Sequence, residues 1–136
     1  MDTSKEYIKM CEEAKEMQTI QEYTISNLVK IDNHILVVTH DDGESLWGVC
    51  FETRNIIAVC KKKNHIVYIF CQSQLQETVK PASGYTWDYI RILWDWIQNK
   101  AKYIKQFTSM EQLWLAFVMK EKYNKVWNGK TWEVQK

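Results

Sequence analysis

The hydrophobic pattern of this chain changes its period twice, and that change limits the fold more than any other feature of the sequence. Apolar side chains recur at helical spacing in residues 3–19, alternate with a period of two after Gln21, and return to helical spacing from Gln72. We therefore predict an α+β fold with an N-terminal helix, an antiparallel β-meander of about five strands, two C-terminal helices and a terminal β-hairpin.

The N-terminal helix is predicted from its start signal and its apolar face. Thr3 and Glu6 have the spacing of a capping box, in which a hydroxyl and a carboxylate each satisfy a free backbone N–H. One face of the helix carries five apolar side chains with charged residues opposite. They are Tyr7, Met10, Cys11, Ala14 and Met17.

The middle of the chain is predicted to form short strands. The first alternates Tyr23, Ile25, Val29 and Ile31 with mostly polar neighbours. Polar turns such as Asp41-Asp42-Gly43 separate four further segments, at residues 35–40, 45–53, 56–60 and 65–71. Short strands joined by short polar turns are typical of an antiparallel meander, which we expect to form a curled sheet or a small, partly open barrel.

The C-terminal half is predicted to be helical up to a final hairpin. A short helix at residues 73–79 precedes long helices at 86–105 and 110–123. Helix 110–123 is apolar almost all the way round, which predicts burial at the centre of the domain. The Asn128-Gly129 pair, with a tryptophan on either arm, predicts the hairpin.

Helix 86–105 carries two apolar surfaces. A broad arc that includes Trp87, Ile90 and Trp94 is assigned to the core. A second, narrow stripe consists of Ile92, Trp96 and Tyr103. This stripe either packs against the sheet or forms an exposed interaction patch, and the sequence leaves both alternatives open.

Length and composition are those of an ordinary globular protein. The 136 residues correspond to one domain, 1–136, and a net charge of +1 gives no strong field toward nucleic acid or membranes. The longest apolar runs are too short to span a bilayer, and the N-terminus lacks a signal-peptide pattern. The four cysteines form no CxxC pair, so we expect buried free thiols in a reducing cytoplasm.

The sequence lacks the motifs of common enzyme classes. It has no Gly-rich phosphate loop, no HExxH and no GxSxG, so we expect no enzyme, no cofactor and no metal site. Carboxylates beside His40, from Asp41 to Glu44, could surround a metal, but such groups at a turn are usually solvated. His65 and Cys71 would lie too far apart along one strand to form a nucleophile pair.

The aromatic excess is the most informative feature for function. Six of the seven tryptophans follow residue 85, in a half of the chain that also carries more basic than acidic residues. Aromatic rings beside cations can stack on and neutralise a nucleotide, although core packing also explains many of the rings. The predicted ligand-binding residues come from helix 85–107 and segment 120–132: Arg91, Trp96, Lys102, Tyr103, Lys122, Trp127 and Trp132.

Two segments of the chain resemble a known family. Residues 107–129 and 2–11 are similar to small proteins encoded by phages and prophages of Firmicutes. Those relatives place a Trp-Leu-Pro-Arg-Gln-Asp-Gln-Leu-Gln-Glu motif before the C-terminal helices. Here only Gln72-Ser73-Gln74-Leu75-Gln76-Glu77 corresponds to it, and Cys71 precedes this segment in place of the Pro-Arg pair. The resemblance implies a phage accessory protein that acts in the host bacterial cytoplasm.

These observations predict a non-enzymatic phage protein that counters host antiviral defence by sequestering a small nucleotide signal. The alternative is an inhibitor that caps a host defence effector, for example a CRISPR nuclease, through a flat aromatic surface. A third class is an enzyme that degrades the same signals. The expected partners exclude membranes and sequence-specific nucleic acid, and an exposed aromatic stripe would favour a homodimer.

Overall fold

The computed structural model describes residues 1–19, 27–50, 52–61, 65–79, 81, 83 and 85–136, without the side chain of Thr86. The chain divides into two compact units. The helical unit comprises Met1–Glu13 and Cys71–Lys136, and the sheet unit comprises Ala14–Phe70. The single domain 1–136 stays a prediction.

The described elements reproduce the predicted order of helices and strands. The α-helices are α1 (Lys5–Glu13), α2 (Gln72–Thr78), α3 (Thr86–Asn99), α4 (Ala101–Ile104) and α5 (Met110–Tyr123). The N-terminal helix that the sequence predicted over residues 3–19 ends at Glu13, and a short 3-10 helix follows at Lys15–Met17. The strands are β1 (Leu28–Ile31), β2 (His34–Asp41), β3 (Ser45–Cys50), β4 (Ile56–Cys60), β5 (Ile66–Ile69), β6 (Lys125–Trp127) and β7 (Trp132–Val134). The α+β class with a terminal hairpin is therefore confirmed.

The sheet unit is an open, five-stranded antiparallel sheet in the order β4-β3-β2-β1-β5. The first four strands follow the predicted meander, but β5 pairs with β1 instead of β4. Burial explains this departure: Val67, Tyr68 and Ile69 of β5 are buried, whereas no residue of β4 is. The apolar β5 thus lies beside the equally buried β1. The predicted strand residues Tyr23 and Ile25 lie outside the described part of the chain.

Two local features hold the β2–β3 pair close together. The Asp42 carboxylate accepts hydrogen bonds from the backbone N–H groups of Ser45 and Glu44, and these bonds lower the pKa of Asp42. In β3, a Cβ added to Gly48 would lie 2.8 Å from the Val37 carbonyl oxygen. Only glycine permits this approach of the two strands.

In the helical unit, α5 is the buried element that the sequence predicted. Its side chains are buried at seven positions, which include Trp114 and every residue from Leu115 to Met119. Ser109 caps the helix by accepting from the Gln112 N–H at 3.1 Å, and Asn124 ends it in the left-handed region. The elements α1, α2, α3 and β6 all pack against α5, which explains why apolar residues surround its axis.

The N-terminal segment is fixed to the start of α5. The Ser109 hydroxyl and the Gln112 amide donate to Asp2 Oδ2 at 2.5 and 2.9 Å. Burial raises the pKa of Asp2, but hydrogen bonds led by the one from Ser109 outweigh burial and leave this pKa below its usual value. The Ser4 hydroxyl, rather than the predicted Thr3, accepts the first-turn N–H of Tyr7. These bonds join parts of the chain that are about a hundred residues apart.

The orientation of α3 differs from the prediction. Trp87, Ile90 and Trp94, which were assigned to the core, are 60%, 68% and 57% exposed. Trp96, from the stripe that the sequence left open, is only 8% exposed and packs against Phe117. Both faces of this helix are aromatic, so periodicity could not decide which one α5 covers. The predicted helix 86–105 is also interrupted at Lys100, between α3 and α4.

Candidate functional site

A cleft of about 190 Å³ lies in the helical unit where α3, α4, α5 and the hairpin meet. Trp96, Lys100 and Tyr103 are spaced by four and three residues, so they share one side of the α3–α4 region. The opposite side of the cleft comes from α5, β6 and the residue that follows β7. These residues are Lys120, Val126 and Gln135.

Two aromatic rings form the apolar wall of the cleft. The ring centroids of Trp96 and Tyr103 lie 6.0 Å apart in an edge-to-face arrangement. The Tyr103 hydroxyl accepts the backbone N–H of Trp127 at 2.7 Å, which fixes the phenol. Burial raises the pKa of Tyr103 to about 12, against the lowering effect of that hydrogen bond. The phenol therefore stays neutral at ordinary pH and keeps its own proton for donation.

Two residues of the cleft also carry a buried polar atom without a hydrogen-bond partner. The indole Nε1–H of Trp96 and the Oε1 of Gln135 have no hydrogen-bond partner among the described residues. A buried polar group without a partner costs about 1–3 kcal/mol. Both atoms are closed to solvent, so a ligand with a complementary acceptor and donor could remove both penalties only if the Trp96 and Gln135 side chains turned toward the cleft.

Two lysines give the cleft a positive charge. Lys100 forms no ion pair with any described residue. The Lys120 ammonium donates to the amide oxygen of Asn124, which is a neutral partner. Because neither charge is neutralised by a described carboxylate, both ammonium groups can contact an anion.

No protein-family model, no curated protein and no solved structure matches this chain. The residues themselves therefore carry all further inference about function. None of the described helices is long and apolar enough to cross a membrane.

The structure brings two of the seven predicted ligand-binding residues to this cleft, Trp96 and Tyr103. Arg91 precedes Trp96 by five residues, which places it about 140° away around α3. Its guanidinium instead pairs with Asp88 at 3.1 Å and lies over the Trp87 ring at 5.3 Å. Lys102 and Lys122 are exposed and do not line the cleft.

Trp127 and Trp132 lie in the interior, so the prediction that they line a pocket needs correction. Their rings contact each other at 5.1 Å across the hairpin. The indole of Trp127 donates to Glu6 at 3.0 Å, and that of Trp132 donates to the Met10 carbonyl at 2.9 Å. These hydrogen bonds attach the hairpin to α1, so both indole N–H groups already have structural partners.

The seven predicted ligand-binding residues leave out Lys100, Lys120 and Gln135. Both lysines are among the basic residues that the sequence places around the helices 86–105 and 110–123, and the spacing of Lys100 from Trp96 and Tyr103 on one side of the helical region could have selected the first of them. Gln135 gave no signal, because only tertiary packing brings the residue after β7 to this place.

A second cleft of about 550 Å³ lies between α2, α3 and the first turns of α5. Leu93 and Trp114 provide buried apolar surface, Gln72 and Gln76 are polar, and Ile90 is an exposed wall. The indole Nε1–H of Trp114 has no partner among the described residues. Trp87, Ile90 and Trp94 form an exposed surface that we call the α3 face. Because Ile90 belongs to both, the cleft and the α3 face are continuous.

Two of the three carboxylates that the sequence offers as metal ligands beside His40 are engaged elsewhere. Asp41 pairs with Lys61 at 2.5 Å, and Asp42 accepts the N–H groups of its own turn. A different group of potential ligands lies in the sheet unit, at His34, Cys50 and Glu52. The sequence gave no signal for it, because these residues become neighbours only through the pairing of β2 with β3.

Proposed function

We propose that this chain is a non-enzymatic phage accessory protein that counters host antiviral defence by sequestering a small nucleotide signal in the host bacterial cytoplasm. The cleft between Trp96 and Gln135 is the proposed binding site. The resemblance of the chain ends to phage and prophage proteins supplies the biological setting, and the chemistry of the cleft supplies the ligand class.

The observation that carries this proposal is the pair of unused polar atoms beside two lysines. A nucleobase is a planar ring whose edge presents acceptors next to donors, which would complement the Trp96 N–H and the Gln135 oxygen once these side chains turn toward the cleft. The phosphate of the same ligand would contact the ammonium groups of Lys100 and Lys120. Tyr103 adds an aromatic surface and a neutral hydroxyl donor.

The size of the cleft sets how much of the ligand is enclosed. Its volume of about 190 Å³ is below the ~300–1,000 Å³ of pockets that surround a drug-sized ligand. We therefore propose that one ring system enters the cleft while the sugar and phosphate remain at the rim, beside the lysines.

Calorimetry and thermal shift with a panel of cyclic and linear nucleotides test the proposal. At least one nucleotide should raise the melting temperature of the protein, since a ligand that binds only the folded state stabilises it. If no nucleotide in the panel does so, the sequestration proposal is wrong. Chromatography of the bound ligand after denaturation separates sequestration from degradation, because a sequestering protein returns the nucleotide intact.

Variants locate the binding site. Trp96→Phe keeps a ring but removes one hydrogen bond of about 0.5–1.5 kcal/mol, so affinity should fall by about 2- to 10-fold. Lys100→Gln and Lys120→Gln should each weaken binding by about tenfold or more, because charged hydrogen bonds contribute about 1.5–3 kcal/mol. Lys102→Gln and Lys122→Gln are the matched controls, since these lysines do not line the cleft. Equal losses in the control variants would place the ligand elsewhere.

A second candidate function is the capping of a host defence effector such as a CRISPR nuclease. The α3 face favours it, because tryptophan is enriched at the centres of protein interfaces and the adjoining cleft could accept a partner side chain. Phage plaquing on hosts with a nuclease-based defence distinguishes the two functions. If the protein caps an effector, the double variant Trp87→Gln and Trp94→Gln should no longer protect the phage from the nuclease. If it sequesters a nucleotide, Trp96→Phe should protect the phage less well from a nucleotide-signalling defence.

A further inference from the structure

Three side chains with metal-ligating atoms lie together at one end of the β2–β3 pair in the sheet unit. His34 is the first residue of β2, Cys50 is the last residue of β3, and Glu52 follows two residues later. The register pairs Leu36 with Cys50, and Glu52 lies in the turn that follows β3. Residues opposite each other on paired strands, and residues two apart on one strand, share a face of the sheet, so the His34 imidazole and the Cys50 thiol emerge on the same side.

The turn that follows β3 is held by its own backbone. The Cys50 N–H donates to the Asn55 carbonyl, and the Arg54 N–H donates to the Cys50 carbonyl, both at 2.9 Å. Arg54 has a φ of 63°, in the left-handed region. Two hydrogen bonds thus fix the segment that carries Glu52 relative to Cys50.

The ligating atoms converge on one point. His34 Nδ1 lies 3.9 Å from Cys50 Sγ and 3.6 Å from Glu52 Oε2. The three ligating atoms lie within 4.8 Å of one another. A nucleophile with a histidine base and an orienting acid would use both ring nitrogens, one for each partner. Here the thiol and the carboxylate both approach Nδ1, which is the arrangement of ligands around a common centre.

We propose that His34, Cys50 and Glu52 form a Zn²⁺-binding site in the sheet unit. With Zn–N and Zn–O distances of about 2.0–2.1 Å and Zn–S of about 2.3 Å, the edges of a tetrahedral site are about 3.3–3.6 Å long. The two separations from His34 Nδ1 exceed these edges by only a few tenths of an ångström, and the third, between the Cys50 thiol and the Glu52 carboxylate, is at most 4.8 Å. Three protein ligands leave the fourth position of the tetrahedron for water.

The donor set selects zinc by its chemistry. A thiolate disfavours Mg²⁺ and Ca²⁺, which prefer oxygen ligands, whereas thiolate, imidazole and carboxylate together suit Zn²⁺. The His34 and Glu52 side chains are 52% and 58% exposed, so an ion can reach them from solvent.

The full chain, purified in reduced form, tests the site with Zn²⁺ and Co²⁺ as probes. We expect one Zn²⁺ per chain in competition with a chromophoric chelator. With Co²⁺, we expect the visible bands of a tetrahedral ion and a thiolate-to-cobalt charge-transfer band. Absence of Zn²⁺ binding, or Co²⁺ spectra without the thiolate band, would overturn the proposal.

Single substitutions identify the ligands. Replacement of groups that only support a metal ligand lowers affinity about 10–100-fold, so loss of a ligand should lower Zn²⁺ affinity about 100-fold or more. Cys50 is buried, and Cys50→Ser could impair folding, but His34→Gln and Glu52→Gln alter exposed side chains and test the site independently.

The matched control is His40→Gln, because His40 is an exposed histidine of the same strand. Unchanged affinity in His34→Gln and Glu52→Gln, or an equal loss in His40→Gln, would overturn the proposal. Nucleotide binding plays no part in this experiment, so the two proposals fail separately.

Discussion

Four tryptophans of the helical unit differ in what their indole nitrogens contact. Trp127 and Trp132 donate to Glu6 and to the Met10 carbonyl, whereas Trp96 and Trp114 have no partner among the described residues. Both unpartnered indoles line clefts. The same residue type thus serves structure at two positions and marks candidate binding surfaces at the other two.

This difference predicts unequal costs for the same substitution. Trp132→Phe leaves the buried Met10 carbonyl without its donor, while Trp96→Phe breaks no hydrogen bond within the described protein. Both variants lose similar buried volume. The free energy of unfolding should therefore fall by about 1–3 kcal/mol more in Trp132→Phe than in Trp96→Phe. Urea unfolding of the two variants measures the difference, and equal losses would show that the Trp132 hydrogen bond contributes nothing.

Tyr103 should give the protein a specific alkaline sensitivity. Because the folded state raises its pKa from 10.0 to about 12, the stabilisation it provides is complete below about pH 10 and is lost as the pH rises through about 12. Tyr103→Phe leaves the buried Trp127 N–H unpaired, which should cost about 1–3 kcal/mol near neutral pH.

Urea unfolding at a series of pH values checks the prediction for Tyr103. The stability difference between wild type and Tyr103→Phe should shrink between about pH 10 and pH 12. Tyr7, whose pKa burial also raises, is present in both proteins, so its titration cancels in the difference. A difference that stays constant over this range would contradict the assignment to Tyr103.

Element types were predictable because each segment combines one hydrophobic period with its own end signals. The Asn128-Gly129 turn and the polar turn at Asp42 lie where the sequence placed them. The position of β5 and the orientation of α3 were not predictable. Both depend on which of two apolar surfaces finds a partner, and local periodicity contains no information about that choice.

The edge of β5 is protected by a side chain. The Gln18 amide accepts the Tyr68 N–H at 2.7 Å and donates to the Tyr68 carbonyl at 3.0 Å, in the manner of a neighbouring strand. Methionine has a side chain of similar length that forms neither hydrogen bond. The free energy of unfolding should therefore fall by about 1–3 kcal/mol in Gln18→Met. Gln18→Glu keeps an acceptor for the N–H and should lose less.

An uncovered strand edge also promotes association between chains. Light scattering should therefore show more self-association in Gln18→Met than in wild type, alongside the urea unfolding measurement. If Gln18→Met matches wild type in both measurements, the amide does not protect this edge.

The cleft is a product of the whole helical unit. Its residues come from three helices, from β6 and from the residue after β7, and the unit itself joins the first thirteen residues to the last sixty-six. Sequence patterns could select Trp96 and Tyr103 because both lie in one helical region. They placed Lys120 among the nearby basic residues without selecting it for the site, and they gave no signal for Gln135, since packing across distant segments has no local signature.

The α3 face predicts the oligomeric state. Trp87, Ile90 and Trp94 are each more than half exposed and recur at the spacing of a helix-packing seam. Monomers seldom leave a contiguous apolar patch of this kind in water, and a second copy related by a twofold axis could bury the same patch on both chains.

Sedimentation velocity should therefore show a concentration-dependent dimer. Combined Trp87→Gln and Trp94→Gln should shift it to monomer, with Lys102→Gln as the control, and should leave nucleotide affinity unchanged because neither tryptophan lines that cleft. A wild-type monomer at every concentration would contradict dimerisation and would leave the α3 face free for a host protein.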